Sequence, residues 1–558
     1  MFSAARASAL LTLVTAFLAV PSVHAISKIT RSGRYLYNET SNRFYIKGIA
    51  YQEQGAVVAS TDNPFGEPST FIDPLALGSA CQRDLPFLQQ LGVNTIRVYS
   101  VNSSLNHDAC MNLFSQAGIY TIIDLALPLN GSIDRTSPSW STNILDQYTN
   151  TIDAFSKYDN VLAFNVGNEV VVSNATQVAP YVKAAARDIR AYLTSKGSSA
   201  LVGYAAINGA SDFRGSLANY LSCDLAGNNA DTTAIDLYGL NDYEWCGDST
   251  FQASYAATTS AFANYNVVAY FSEFGCITSP PRLWTEAIAL FSSDMNTVWS
   301  GGVAFSYFPA ESVQGQFGMV TISTDATTVT TSADFDKLKT EYGLVNFIDS
   351  PSQSSAGAAS YPSCAAPTSS FLASNTLPPT PNEAACNCVE SALGCRFTPT
   401  TSNSTAIVGS LLDTGCSLLG SSGGSCADIG GDGQTGVYGR LSGCDPTIKL
   451  SFVMSEYYEL NGKTATACSF SGNGTVNSAA GASASAAASS CIANPSAVFT
   501  PSAAPTSGSN SGTSSGKPST SGGASGSSAV ALVGDNHTLV GMSLMVVVSV
   551  LGAIFTMV

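Results

Sequence analysis

The chain has 558 residues and a formal net charge of -16, and only 11% of its residues are charged. This length exceeds what one hydrophobic core usually supports, so we expect two or more domains. The acidic, charge-poor composition offers no basic patch for phosphate groups, which argues against nucleic acid as a partner.

The first 25 residues have the pattern of a secretory signal peptide. An apolar stretch over residues 9–20 follows Arg6, and a small-x-small cleavage site precedes Ile26, the predicted new N-terminus. In an oxidising compartment the 14 cysteines are most simply seven disulfides. N-x-S/T sequons fit a glycosylated surface protein. Their asparagines are Asn38, Asn102, Asn130, Asn174, Asn403, Asn473 and Asn536.

Residues 26–348 alternate short apolar strands with helical stretches such as 81–91, 107–116 and 181–196. Eight strands with intervening helices predict an α/β fold of the (β/α)8 TIM-barrel type. A doubly wound open sheet is the alternative, but no glycine-rich phosphate loop opens any of these helices. The predicted strands are 44–49, 95–99, 120–125, 161–166, 201–206, 235–240, 267–272 and 303–307.

The composition changes after the predicted barrel. Residues 349–383 are rich in Ser, Ala and Pro and are predicted to form a linker, part of which Cys364 ties back to the barrel. Residues 384–492 hold eight cysteines and predict a small disulfide-rich domain. Zinc is the other use of clustered cysteines, but this segment lacks histidine and enters an oxidising compartment, so we expect no metal.

The remaining residues predict a membrane attachment signal. Residues 493–528 form a Ser/Gly-rich stalk, and residues 529–558 resemble a glycosylphosphatidylinositol (GPI) attachment propeptide that is removed. Residues 539–558 carry no charge and are long enough to span a bilayer. The expected attachment site lies near three small residues, Gly526, Ser527 and Ser528. A tail anchor is the alternative, and the absence of flanking Lys or Arg disfavours it.

Two predicted strands end in a glutamate. The string VLAFNVGNEVVV places Asn168 and Glu169 after the fourth strand, and VVAYFSEFG places Glu273 after the seventh. Because the carboxyl ends of barrel strands share one face, these side chains can meet across the mouth. Retaining glycosidases use such a pair, about 5–5.5 Å apart. We therefore predict Glu169 as acid/base and Glu273 as nucleophile, and helix capping or pairing with arginine is the alternative.

Polar and aromatic side chains follow other predicted strands. Arg97 is expected to hold the nucleophile ionised, and Asn168 to hydrogen-bond the sugar 2-OH. Strand-end tyrosines are expected to contact sugar rings, with core packing as the alternative. Of three histidines only His107 remains in the predicted mature chain, which disfavours a Ser/His/Asp hydrolase or a metalloenzyme.

Six strings in the predicted barrel are distinctive: YIKGIAYQ (45–52), CQRDLPFLQQLGVNTIRVYS (81–100), NVGNEV (165–170), YGLNDYEWCG (238–247), FSEFGC (271–276) and WSGGVAFSYF (299–308). Together they resemble the fungal GPI-anchored β-1,3-glucanosyltransferases of glycoside hydrolase family 72. The region 386–491 resembles the cysteine-box, or X8, module of that family, which is similar to carbohydrate-binding module family 43. The resemblance implies cleavage of an internal β-1,3-glucan bond with retention and transfer of the new reducing end to the non-reducing end of another glucan, without a cofactor.

Matched motif by motif, the resemblance assigns the acid/base to Glu169 and the nucleophile to Glu273. It implies substrate-binding roles for the residues Tyr99, Asp124, Asn168, Tyr238, Asn241, Tyr307 and Arg97. It implies barrel disulfides Cys81–Cys110, Cys223–Cys364 and Cys246–Cys276. The chain departs from the family pattern at Phe317, where a tyrosine is common, and at Asp242, where an aliphatic residue is frequent.

Two other functions stay open. A retaining endo-β-1,3-glucanase would make only products shorter than its substrate, whereas a transferase also makes longer ones. A catalytically silent wall protein would bind glucan through the small module, with Tyr438, Tyr457 and Tyr458 as stacking platforms. A purely structural support docked on the barrel is the alternative role for that module. The expected partners are β-1,3-glucan donor and acceptor and, through the lipid, the outer leaflet of the plasma membrane.

Overall fold

The computed structural model describes residues 26–55, 68, 70–128, 131–312, 314–401 and 404–502. Eight parallel strands close into a barrel, in which each strand pairs with the next and the last pairs with the first. This confirms the predicted (β/α)8 barrel and excludes the open sheet. The barrel strands are β1 (Ile46–Ala50), β2 (Thr95–Val98), β3 (Tyr120–Asp124), β4 (Val161–Asn168), β5 (Leu201–Ile207), β6 (Leu237–Asn241), β7 (Val268–Phe274) and β8 (Trp299–Ala304).

Helices follow the strands and cover the outside of the barrel. Successive side chains of a strand point to opposite faces of the sheet. The apolar residues of the strands therefore pack in two layers. Ile46, Leu162 and Val268 pack inside the barrel, whereas Ile123 and Phe164 pack against the helices. The barrel helices are α1 (Gly78–Leu91), α2 (Asp108–Gln116), α3 (Thr142–Phe155), α4 (Ala179–Ser195), α5 (Ser211–Ser222), α6 (Phe251–Ser254), α7 (Ala256–Ala261), α8 (Glu286–Leu290) and α9 (Ala333–Leu344). Within the described ranges, no helix has both the length and the apolar character that crossing a bilayer requires.

The last barrel strand lies four residues earlier than its predicted start at residue 303. The prediction followed the apolar run and stopped at the two glycines that precede it. Gly301 has φ +92°, and a Cβ there would approach the Ile46 carbonyl oxygen to 2.2 Å. The glycine therefore allows β8 to approach β1 and close the barrel.

The small C-terminal domain is built from helices and disulfides, and we call it the cysteine module (residues 384–492). Its helices are α10 (Glu383–Ala392), α11 (Thr405–Ser421), α12 (Pro446–Leu460) and α13 (Ala484–Cys491). Two short antiparallel pairs join Cys395–Phe397 to Gly474–Val476 and Gly431–Asp432 to Val437–Tyr438. The module disulfides are Cys386–Cys444, Cys388–Cys491, Cys395–Cys468 and Cys416–Cys426. The barrel has the three pairs that the family resemblance implies: Cys81–Cys110, Cys223–Cys364 and Cys246–Cys276.

The predicted stalk begins later than residue 493. Thr380 donates its N–H to the Ala497 carbonyl at 3.0 Å, and Phe499 donates its N–H to the Thr380 hydroxyl at 3.3 Å. Ala497 and Phe499, within the predicted stalk, are therefore attached to the linker by hydrogen bonds. The predicted signal (1–25), the rest of the stalk (503–528), the attachment residues, the propeptide (529–558), and the sequon residues Asn130, Asn403 and Asn536 lie outside the described residues.

The barrel and the linker meet at Asp188 on α4, and the cysteine module contacts the barrel at Thr142. This carboxylate is 1% exposed and accepts the Trp140 indole N–H at 2.8 Å and the Thr380 hydroxyl at 2.8 Å. Its neighbour Arg187 forms an ion pair with it at 2.7 Å. Close by, the Thr142 N–H donates to the Gly443 carbonyl of the module at 3.0 Å. One buried carboxylate on α4 thus connects the loop before α3 to the linker.

We predict that Asp188→Ala strongly destabilises the protein. Removing one partner of a buried ion pair leaves the other charge and its donors unsatisfied, which typically costs about 3–5 kcal/mol. The variant should unfold at lower temperature than Asp159→Ala, which removes an exposed carboxylate. Differential scanning calorimetry measures both, and equal melting temperatures would contradict the role of this junction.

Candidate active site

Glu273 lies near the carboxyl end of β7 and is 7% exposed. Its Oε1 accepts the Arg97 Nη1–H at 3.1 Å and the Tyr99 hydroxyl at 2.9 Å. Its Oε2 accepts the Tyr243 hydroxyl at 2.8 Å. Three donors, one of them cationic, therefore converge on this carboxyl group and favour its ionised form.

Glu169 follows directly after β4 and is partly exposed at the mouth of the barrel. Its Oε1 accepts the Asn241 amide N–H at 2.8 Å, and its backbone N–H donates to the Ala205 carbonyl of β5 at 2.8 Å. Asn241 in turn accepts the Ser272 hydroxyl at 2.7 Å, beside Glu273. The two glutamates predicted from strand ends are thus joined across the mouth through one amide.

Arg97 lies beneath the glutamates and is fully buried. Besides Glu273, it binds Asp124 at 2.7 Å, the Asn168 side-chain oxygen at 2.8 Å and the Ser272 carbonyl at 3.1 Å. Its guanidinium carbon also lies 4.2 Å from the centre of the Tyr99 ring. This cation therefore orients side chains from four strand ends at once.

The two glutamates differ in the ease with which they ionise. Burial raises the pKa of Glu169 to about 7, and repulsion from Glu273 adds to the rise. Burial also raises the pKa of Glu273, but Arg97, Tyr243 and Tyr99 act in the opposite direction. These donors stabilise the charged form of Glu273, whereas repulsion from Glu273 opposes ionisation of Glu169. Below about pH 7 Glu169 therefore keeps its proton.

The structure corrects two of the predicted sugar contacts. Tyr238 is fully buried and packs its ring 5.6 Å from Phe262, between the sheet and the helices. It is three positions from Asn241 in β6, so the alternation of a strand turns it to the opposite face. Tyr307 is also fully buried and donates its hydroxyl to Asp84 at 3.2 Å.

Asp124 is also too deeply buried to contact a sugar at the mouth, since it is 2% exposed. Its Oδ1 accepts the Asn165 amide at 2.6 Å and its Oδ2 accepts Arg97. Both oxygens are engaged below the mouth, so this residue neutralises and orients Arg97. The predicted contacts that reach the mouth are Tyr99 and Asn168, both partly exposed.

Sequence reasoning missed Tyr243, which donates to Glu273 and is partly exposed. Its position directly after β6, two residues beyond Asn241, was the available signal. Its ring lies 5.5 Å from Phe317 and 6.4 Å from Phe305, and Phe305 lies 6.1 Å from Tyr99. These four rings form an aromatic wall on the Glu273 side of the mouth. Phe317, the departure from the family pattern, belongs to this wall.

Asp242, the other departure, is buried beside the site. Its Oδ1 accepts the Glu244 N–H at 2.9 Å and its Oδ2 accepts the Asn208 amide at 3.1 Å. Burial, with repulsion from Glu244 as the second cause, raises the pKa of Asp242 to about 7. The carboxyl group thus joins the loops after β5 and β6.

A barrel whose mouth holds two carboxyl groups with different hydrogen-bond donors has the arrangement of a glycoside hydrolase with a nucleophile and an acid/base. Comparison with known families agrees. The model of glycoside hydrolase family 72, described as glucanosyltransferase, matches residues 17–346, and the X8 domain matches residues 393–475. The chain belongs to glycoside hydrolase family 72.

Named relatives extend along both domains. The 1,3-beta-glucanosyltransferase gas1 of Schizosaccharomyces pombe is 39% identical over 495 residues, covering 88% of this chain and 86% of that protein. The 1,3-beta-glucanosyltransferase PGA5 of Candida albicans is 37% identical, covering 82% and 71%. A Saccharomyces cerevisiae Gas2p mutant crystallised with laminaritetraose and laminaripentaose superposes with a TM-score of 0.72 at 33% identity, covering 84% of this chain and 98% of that one.

We predict that Glu169→Gln stabilises the protein in a pH-dependent way. The pKa of Glu169 is raised from 4.5 to about 7 on folding, so the folded state binds its proton more tightly. Its contribution to stability is therefore present at low pH and is lost as the pH rises through about 7, by on the order of 1–3 kcal/mol. Glutamine cannot ionise and avoids this loss.

Thermal unfolding at pH 4.5, 6 and 8 tests this expectation. Glu169→Gln should match the parent protein at pH 4.5 and exceed its melting temperature at pH 8. Glu53→Gln, an exposed site, should show no such divergence. A difference that does not depend on pH would contradict the burial of an ionisable Glu169.

Proposed function

We propose that this enzyme lengthens cell-wall β-1,3-glucan with Glu273 as nucleophile and Glu169 as acid/base. The observation that carries the proposal is the unequal environment of the two carboxyl groups. Relatives over both domains are named 1,3-beta-glucanosyltransferases, and the related Gas2p binds two laminari-oligosaccharides. A donor and an acceptor glucan chain are therefore the proposed partners.

In the first step Glu273 attacks the anomeric carbon of an internal β-1,3-linked glucose. Glu169 gives its proton to the departing glycosidic oxygen, which leaves as the hydroxyl of the released chain. The donor remains as a covalent glycosyl-enzyme. Arg97, Tyr99 and Tyr243 stabilise the Glu273 carboxylate before attack and again when it leaves.

In the second step the non-reducing-end hydroxyl of an acceptor glucan attacks the glycosyl-enzyme. Glu169, now ionised, removes the proton of that hydroxyl, and the bond to Glu273 breaks. Inversion twice gives net retention. The aromatic wall supports transfer over hydrolysis, because Tyr99, Tyr243 and Phe305 offer faces for sugar rings and exclude water from the Glu273 side.

For the cysteine module we propose a supporting role. Of the expected stacking platforms, Tyr438 packs its ring 5.7 Å from Tyr181 of the barrel and donates its hydroxyl to the Thr376 carbonyl. Tyr458 is 8% exposed inside the module, and the Tyr457 ring packs on Phe470. These contacts favour docking on the barrel over glucan stacking by the same rings.

We further propose secretion, N-glycosylation and GPI anchoring at the outer face of the plasma membrane. The pairing of all 14 cysteines fits an oxidising compartment. Exposed sequon asparagines Asn102 and Asn174 are compatible with glycans. Anchoring rests on the sequence of residues 526–558.

Product length tests the proposed reaction. The full-length protein, purified from a secretory host, is incubated with a reduced laminari-oligosaccharide of one length. The masses of the products are then measured by mass spectrometry. Products both shorter and longer than the substrate are expected. Shorter products alone would assign an endo-β-1,3-glucanase, and an unchanged substrate that still binds would assign a silent wall protein.

Substitution of the two carboxyl groups tests their roles. Glu169→Gln and Glu273→Gln should each lower kcat by about 10²–10⁴-fold or more, since each removes one partner of the chemistry. Glu53→Gln is the matched control at an exposed site. Full activity of either active-site variant would refute the mechanism.

The pH dependence of kcat/KM gives a further test. Glu169 must be protonated in the first step, so kcat/KM should fall as the pH rises above about 7, the pKa of that group. It should also fall at low pH, where Glu273 becomes protonated. A profile that stays flat up to pH 9 would show that Glu169 is not the acid.

A further inference from the structure

The backbone at Glu169 is in an uncommon conformation. Its φ is +51°, in the left-handed region that favours glycine and strains other residues. The register between β4 and β5 shifts between Asn165 and Asn168, just before this residue. The chain therefore turns sharply where it presents the carboxyl group, and other contacts must hold that turn.

Arg135 holds the peptide that follows Glu169. Its Nε and Nη2 both donate to the Glu169 carbonyl oxygen, at 3.1 and 2.9 Å. On the other side, the Glu169 N–H is held by the Ala205 carbonyl, and the Val171 N–H donates to the Tyr204 hydroxyl at 2.9 Å. A forked, charge-assisted pair of bonds is the strongest of these contacts.

The loop that carries Arg135 is itself anchored. Gln147 of α3 donates to the Gly131 carbonyl at 3.0 Å, and Ile133 is 2% exposed in the core. The Asp134 carboxylate accepts the Ser137 N–H at 2.9 Å and closes a turn beside Arg135. Trp140 ends the loop at the Asp188 junction. Arg135 thus reaches Glu169 from a supported position.

We propose that Arg135 is a positioning residue for the general acid. Its fork fixes the left-handed peptide that aims the Glu169 carboxyl group at Asn241 and at the departing glycosidic oxygen. This inference rests on the proposed acid/base role of Glu169. Arg135 contacts the backbone of that residue, so its effect on catalysis passes through the placement of the acid.

The leaving group distinguishes such an effect from a general loss of structure. A sugar hydroxyl is a poor leaving group and needs the proton of a well-placed acid, whereas a dinitrophenolate leaves without one. Loss of Arg135 should therefore slow cleavage of a laminari-oligosaccharide far more than cleavage of its dinitrophenyl glycoside. A variant with a damaged nucleophile, fold or donor site would lose both activities alike.

The experiment compares four variants of the full-length protein: Arg135→Met, Arg135→Lys, Glu169→Ala and Arg34→Met. Methionine keeps the length of the side chain without its donors, and lysine keeps the charge without the fork. Arg34 is the matched control because it also donates to backbone carbonyls, those of Ala263 and Thr297. Melting temperatures establish that each variant is folded.

With laminari-oligosaccharide, Arg135→Met should lose on the order of 10–100-fold in kcat/KM, as expected for a misplaced catalytic group. With the dinitrophenyl glycoside of the same oligosaccharide it should lose less than about threefold, since the proton is not needed. Arg135→Lys should show the same selectivity, and Arg34→Met should show neither loss. Equal losses on both substrates, or none, in the folded Arg135 variants would overturn the proposal.

The Glu169→Ala variant tests the proposed acid/base role of Glu169 separately from the positioning role of Arg135. If Glu169 is the acid, this variant shows the strongest selectivity for the activated substrate, and azide should trap its glycosyl-enzyme as a β-glycosyl azide. If Glu169→Ala shows neither the selectivity nor the azide product, the assigned role of Glu169 is wrong, whatever the Arg135 variants show. If Glu169→Ala shows the selectivity and the azide product while Arg135→Met lacks the selectivity, only the positioning role of Arg135 is wrong.

Discussion

The buried Arg97 guanidinium is the interaction on which the mouth of this barrel depends. Taking a cation out of water costs several kcal/mol unless its donors are satisfied. Here Asp124, Asn168, Glu273 and the Ser272 carbonyl satisfy it, and they come from β3, β4 and β7. The ends of these strands must therefore converge on β2, and the geometry of the active site is part of the stability of the fold.

The same cation makes the surroundings of Glu273 different from those of Glu169. Glu273 gains Arg97 and two tyrosine hydroxyls, whereas Glu169 accepts an amide from Asn241 and is partly exposed at the mouth. Two identical side chains thus acquire different proton affinities from their surroundings alone.

The loop after β3 connects the cysteine module to the mouth of the barrel. Trp140 and Thr142, at the end of that loop, bind Asp188 and the module backbone, and Arg135 in the same loop binds the Glu169 peptide. A domain that is separate in sequence thus contacts the end of the loop that binds the Glu169 backbone. Four disulfides within the module stabilise it, mainly by constraining its unfolded chain.

The sequence by itself determined the barrel, its disulfide-rich partner and the strand-end positions of the two glutamates, because apolar period, cysteine clustering and strand-end carboxylates are local patterns. It misjudged Tyr238 and Tyr307, since composition at a strand end does not say which face a side chain takes. It passed over Tyr243 and Arg135, which lie in loops whose paths depend on contacts distant in the chain. Only the tertiary structure decided these positions, because side-chain direction and loop conformation are set by packing and hydrogen bonds between segments.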